Sequence, residues 1–106
     1  FERTLNKLIE IGNISLNRDS FEVTINKETL ILPLKEFELL SLLASRNGKV
    51  VQRAFLLEHT WGADFEGNEL PLNTHMNRLR ERLKRYNASV ELQTARGIGY
   101  MLEVMK

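Results

Sequence analysis

The chain has 106 residues, 42% hydrophobic and 27% charged, with no cysteine and a net charge of +1. That length suits one domain with a modest core, and the missing cysteines exclude disulfides and thiol chemistry, in keeping with a reducing, cytoplasmic setting. No apolar run approaches the roughly 18 residues of a membrane span, no signal-peptide pattern opens the chain, and no membrane partner is expected.

The charge is unevenly spread. Residues 1–70 carry 8 Lys and Arg against 11 Asp and Glu, whereas residues 71–106 carry 7 against 3. The second part is therefore basic, as the electrostatic footprint of a polyanion-binding surface would be. Taken alone, a solvated helix face is the simpler account of the same charges.

Residues 1–7 are polar and aperiodic and read as a linker remnant, leaving 8–106 as the domain. Short extended segments follow at 8–11 and 14–16, joined by the tight-turn pair Gly12-Asn13. Phe21, Val23 and Ile25 alternate with polar residues, Asn26-Lys27 makes a turn, and 29–32 returns. These four segments predict a small antiparallel sheet. Residues 34–46 form a helix with a wide apolar stripe through Phe37, Leu40, Leu43 and Ala44, ended by Asn47-Gly48. Val50-Val51 is an extended link. A second helix spans 53–60, with Leu56 and Leu57 inward and Trp61 at its end. Residues 62–70 read as a loop.

The third helix, 71–86, carries two stripes. Leu72, Met76, Leu79, Leu83 and Tyr86 recur at helical spacing on one face. Thr74, Asn77, Arg78, Glu81, Lys84 and Arg85 project from the other. At 1.5 Å per residue it is roughly 24 Å long. A strand at 90–94, the turn Arg96-Gly97-Ile98-Gly99 and a strand at 100–104 close the chain.

Three helices followed by a hairpin predict an α+β winged helix-turn-helix fold with an N-terminal four-stranded antiparallel sheet. Two helices seat the third, whose free face suits a major groove. The hairpin reaches sideways, and Arg96, between Ala95 and Gly97, is slim enough at its base to enter a narrow minor groove.

The chain resembles the effector domain of OmpR/PhoB-type response regulators. The family's L-x-x-x-E-F-x-L-L is Leu32-Pro33-Leu34-Lys35-Glu36-Phe37-Glu38-Leu39-Leu40 here. Its aliphatic pair followed by Trp-Gly is Leu56-Leu57 and Trp61-Gly62. Its V-D-V-H-I-x-x-L-R-x-K-L runs from Leu72 through His75, Arg78 and Arg80 to Leu83. Its wing motif T-V-R-G-x-G-Y is Thr94-Ala95-Arg96-Gly97-Ile98-Gly99-Tyr100. The resemblance implies binding to double-stranded DNA as a homodimer on direct-repeat half-sites. It implies that Arg78 reads a base, and that Thr74, His75, Asn77 and Arg80 contact bases, sugar or phosphate. Thr94 and Tyr100 are implied as phosphate contacts at the wing base and Arg96 as the minor-groove arginine. It further implies RNA polymerase contact through loop 62–70, and a receiver domain, absent from this chain, phosphorylated by a cognate histidine kinase. Four positions depart from the pattern. Pro33 and Gln52 replace hydroxyl-bearing helix caps, Pro71 replaces a frequent phosphate-contacting Thr, and Asn73 replaces an acidic residue.

Each of these residues has a plainer reading. Asn73, Asn77 and Arg80 could be solvated surface, His75 a structural histidine, Tyr100 a packing residue of the wing base, and Gly97 and Gly99 simple turn residues. Arg82 and Arg85 read as backbone-contacting or surface charges. A winged-helix module docking its basic helix on an acidic protein is the competing functional reading. No enzyme and no cofactor is expected. His59 and His75 stand alone without cysteine or an H-E-x-x-H pattern, and neither a P-loop nor G-x-S-x-G is present. Glu36 and Glu38 point to different sides of their helix and make no carboxylate pair.

Overall fold

The computed structural model describes residues 8–62 and 72–105. The linker remnant 1–7, Pro71 and all of loop 62–70 except Gly62 lie outside them. The first four strands are β1 (Leu8–Ile11), β2 (Ile14–Asn17), β3 (Glu22–Ile25) and β4 (Glu28–Ile31), paired antiparallel in sequence order. Turn chemistry sets the register. Gly12 takes φ +57° between the paired residues Ile11 and Ile14, and Asn26 and Lys27 both take positive φ between Ile25 and Glu28, as the primed hairpin turns require. With register set, strand alternation turns Ile11, Ile14, Leu16, Val23 and Ile25 into the core.

The helices are α1 (Leu34–Ser45), α2 (Arg53–Trp61) and α3 (Leu72–Arg85). As expected from Pro33 and Gln52, neither α1 nor α2 has a side-chain N-cap bond. Asn47 adopts φ +52° at the end of α1. The end of α3 is a Schellman motif: Asn87, at φ +59°, donates its N–H to the Lys84 carbonyl, and Ala88 donates to that of Leu83.

One segment read as a link is a strand. β5 (Val51–Gln52) pairs antiparallel with β7 (Gly99–Val104), which pairs with β6 (Val90–Ala95), so the hairpin belongs to a three-stranded sheet of order β5-β7-β6. Two residues are too short to show a period, and only the partner makes them a strand. The same contact corrects the reading of Gly99. A Cβ there would lie 1.9 Å from the Val51 carbonyl oxygen, so Gly99 lets two backbones meet. Gly97 is the turn residue, at φ +75°.

One core joins these parts. Phe37, Leu39, Leu40 and Leu43 of α1, Leu56 of α2, the α3 stripe Leu72, Met76, Leu79 and Leu83, and Leu102 of β7 are all nearly inaccessible to solvent. A polar staple closes the seam between the β1–β2 turn and the start of β6. Asn13 N–H donates to Ser89 Oγ at 2.8 Å, and Ser89 N–H donates to Asn13 Oδ1 at 2.7 Å. Among the described residues no helix is long and apolar enough to cross a membrane.

Candidate nucleic-acid interface

The setting of α3 follows from its own periodicity. With Leu72, Met76, Leu79 and Leu83 buried, a 100° step puts Thr74, Asn77, Arg78, Glu81 and Arg85 on the far side. It puts His75 and Arg82 on one flank and Arg80 on the other. Asn77, Arg78, Glu81 and Arg85 are exposed and Thr74 is half-buried.

The first flank is pinned to α1 and α2. Arg82 Nε donates to Glu36 Oε1 of α1 at 2.8 Å, with Glu36 only 1% exposed and Arg82 33% exposed. His75 packs against Trp61 with ring centroids 5.5 Å apart. Its buried Nδ1 has no hydrogen-bond partner among the described residues. Burial pushes the imidazole below the ordinary histidine value; Glu36 pulls it up, while Arg78 and Lys35 push it further down. Lys35 of α1 completes the seat: its Nζ donates to the Thr60 carbonyl at 2.9 Å and lies 5.4 Å from the Trp61 ring centroid. A cation belongs there, against the carbonyl end of α2.

The second flank is pinned to the wing sheet. Arg80 Nε donates to the Leu92 carbonyl at 3.0 Å, Nη2 to Thr94 Oγ1 at 2.9 Å and Nη1 to Asn77 Oδ1 at 2.8 Å. Leu92 and Thr94 belong to β6, whose other edge pairs with β7. One guanidinium thus ties helix to wing. Arg96 is exposed in the hairpin turn, where the Ile98 N–H donates to the Ala95 carbonyl.

The residues singled out from sequence therefore divide. Thr74, Asn77 and Arg78 share the outward face of α3. Thr94 and Arg96 lie on the wing beside it, with Thr94 tied to α3 through Arg80. His75 turns into the α1–α2 seat, and the Tyr100 ring is buried, 6% exposed. Tyr100 lines a shallow cleft of about 220 Å³ with Arg53, Thr94, Gly97 and Ile98. Arg82, read as a surface or backbone charge, is the partner of a buried carboxylate.

Sequence reasoning gave Arg53 no role and weighed Glu36 only as half of a carboxylate pair, although both carried a further signal. A cation at the first position of a helix opposes the helix dipole, so Arg53 calls for a reason beyond helix formation. Glu36 stands one turn before Leu40 on the apolar stripe of α1, where a charge needs a partner. The partner lies 46 residues away, which no local pattern reveals.

Two seating helices, an outward basic helix pinned on both flanks and a wing tipped by arginine define a winged helix-turn-helix domain with an open recognition face. Comparison with known proteins agrees. The family described as "Transcriptional regulatory protein, C terminal" matches residues 27–102. Heme response regulator HssR of Staphylococcus aureus (strain JH9) is 42% identical over 98 residues, which cover 92% of this chain and 44% of that protein. The chain thus spans less than half the length of the curated relatives it matches. Among solved structures, the DNA-binding domain of CpxR from E. coli superposes with a TM-score of 0.75 at 29% identity, covering 93% of this chain and 98% of that one. The DNA-binding domain of response regulator AdeR, solved in complex with an intercistronic region, gives 0.76 at 28% identity, covering 90% and 98%. The chain belongs to the C-terminal, DNA-binding effector domains of OmpR/PhoB-type two-component response regulators.

Proposed function

We propose that this domain binds double-stranded DNA sequence-specifically and regulates transcription, with α3 in the major groove and Arg96 in the adjacent minor groove. The observation that carries this reading is the pinning of α3 on both flanks. Glu36 holds Arg82, and Leu92 and Thr94 hold Arg80. What is left facing outward is a rigid face of Thr74, Asn77, Arg78, Glu81 and Arg85. Phosphate contacts position such a helix and base contacts specify it. Arg78 is the base reader, its guanidinium donating in bidentate fashion to guanine O6 and N7. Thr74, Asn77 and Thr94 add base or backbone contacts. His75, Arg80 and Tyr100 act mainly by shaping the face, with the Tyr100 hydroxyl and Arg53 meeting a phosphate at the wing base.

In the complete regulator this domain follows a receiver domain phosphorylated by a histidine kinase in the cytoplasm. It binds as a homodimer on direct repeats and meets RNA polymerase through loop 62–70. The domain itself performs no catalysis.

Selection from a random duplex library tests the core of this proposal. A preferred half-site is expected. Arg78→Ala removes the preference at one guanine, a loss of about 1–3 kcal/mol of discrimination. Arg96→Ala weakens binding chiefly where the flank is A/T-rich. A library that returns no enriched motif would refute direct readout and favour docking on an acidic protein.

A further inference from the structure

The three bonds of Arg80 constrain the chemistry of its neighbours. A guanidinium has only donors, so whatever it binds must turn an acceptor toward it. Asn77 therefore presents Oδ1 to Arg80 Nη1, 2.8 Å away, and its NH₂ group is left for the exposed side. Thr94 accepts from Nη2 at 2.9 Å through Oγ1, so its O–H is left to donate outward. The Nε bond to the Leu92 carbonyl anchors the guanidinium to the wing sheet, so it does not follow a ligand.

A free asparagine pairs with adenine by turning both its oxygen and its NH₂ to the base, accepting from N6 and donating to N7. Asn77 has its oxygen engaged along the helix at i+3. We infer that Arg80 is a positioning residue that fixes Asn77 as a hydrogen-bond donor, so that the base opposite Asn77 is guanine or thymine and not adenine or cytosine. Guanine N7 and O6 and thymine O4 are acceptors. Cytosine offers only the N4 amino group, and adenine offers one acceptor beside an amino group that meets another donor. The inference rests on the proposed DNA binding and deepens it. It also gives Arg80 a role different from a phosphate contact.

The test is fluorescence anisotropy on the selected duplex, with each of the four bases placed in turn at every position. The position belonging to Asn77 is the one whose preference vanishes in Asn77→Ala and survives in Arg78→Ala. The wild-type protein is expected to favour guanine or thymine there by about 3–10-fold, the range of one hydrogen bond. Arg80→Met keeps the aliphatic stem and drops the donors. It is expected to release Asn77 and admit adenine at that position, while the slope of log K against log salt changes by well under the roughly 0.9 of one lost phosphate contact. Arg80→Lys keeps the charge but cannot bridge three acceptors, and is expected to behave like Arg80→Met. Asn77→Asp keeps the acceptor for Arg80 and removes the donor. It is expected to lose the guanine or thymine preference with its melting temperature unreduced, which separates loss of reading from loss of fold.

Adenine as the wild-type preference at that position, with guanine still required opposite Arg78, overturns this inference alone. Restoration of wild-type base preference and salt slope by Arg80→Lys also overturns it, because a phosphate contact would behave that way. Absence of preference at every position overturns the proposed direct readout and this inference with it.

Discussion

Breaking the ion pair between α3 and α1 from its two ends is expected to give unequal results. Glu36 is 1% exposed and Arg82 33% exposed, with Nε and Oε1 2.8 Å apart. Arg82→Met strands a carboxylate that is 1% exposed with its partner in place. Breaking a buried pair in this way costs about 3–5 kcal/mol. Because Arg82 is a third exposed, solvent already screens part of the attraction, so about 3 kcal/mol is expected. Glu36→Met removes the buried charge itself and leaves an arginine that can turn to water, at about 1 kcal/mol. The double variant is expected to resemble Glu36→Met, which gives a coupling energy of about 3 kcal/mol. In a domain near 100 residues, 3 kcal/mol corresponds to a fall in melting temperature of about 12–20 °C. Urea titrations of the four proteins measure the cycle, provided the m-values agree. The reasoning fails if Arg82→Met costs less than about 0.5 kcal/mol, or if Glu36→Met is the more damaging change. Arg82 turns toward α1, so its loss should also leave the salt slope of DNA binding unchanged in the folded protein.

Two further predictions concern stability. Gly99→Ala puts a methyl group against the Val51 carbonyl, where the Cβ would sit 1.9 Å from oxygen. It should cost about 3 kcal/mol, the upper end of overpacking, whereas Gly97→Ala meets open space and pays only for its positive φ, about 1–2 kcal/mol; equal urea midpoints for the two would contradict the β5–β7 contact. The His75 imidazole is held below its ordinary value of 6.5, chiefly by burial. The unfolded chain then binds this proton more readily than the folded one, so the contribution is fully present above pH 6.5 and is lost as pH falls from there through the lowered folded value. His75→Gln should flatten that acid-side decline in melting temperature, and an unchanged pH profile would show that His75 is not its source.

Much of the architecture was legible because it rests on local rules. Strand alternation, Gly12-Asn13 and Asn26-Lys27 defined the first sheet. The apolar stripes of α1 and α3 and the glycine turn of the wing defined the rest. Helical spacing also placed Arg78 on the outward side of α3, and the wing motif placed Arg96 in the hairpin turn, where both are exposed. β5 was not, because two residues have no period of their own. The role of Gly99 was not, because a close approach depends on what lies opposite.

The charges of α3 mark the division most clearly. Sequence by itself determined that Arg78, Arg80, Arg82 and Arg85 stand on a helix whose other face is apolar, since that needs only a 100° step per residue. It could not sort those arginines, because a flank residue on a helix is free or bound according to its neighbour in space. Only the tertiary structure decided that Glu36, 46 residues earlier, takes Arg82, and that the Leu92 carbonyl and Thr94 hydroxyl take Arg80. A buried carboxylate and an unpaired strand edge both demand a donor, and packing placed one arginine beside each. Arg78 and Arg85 remain on the outward face.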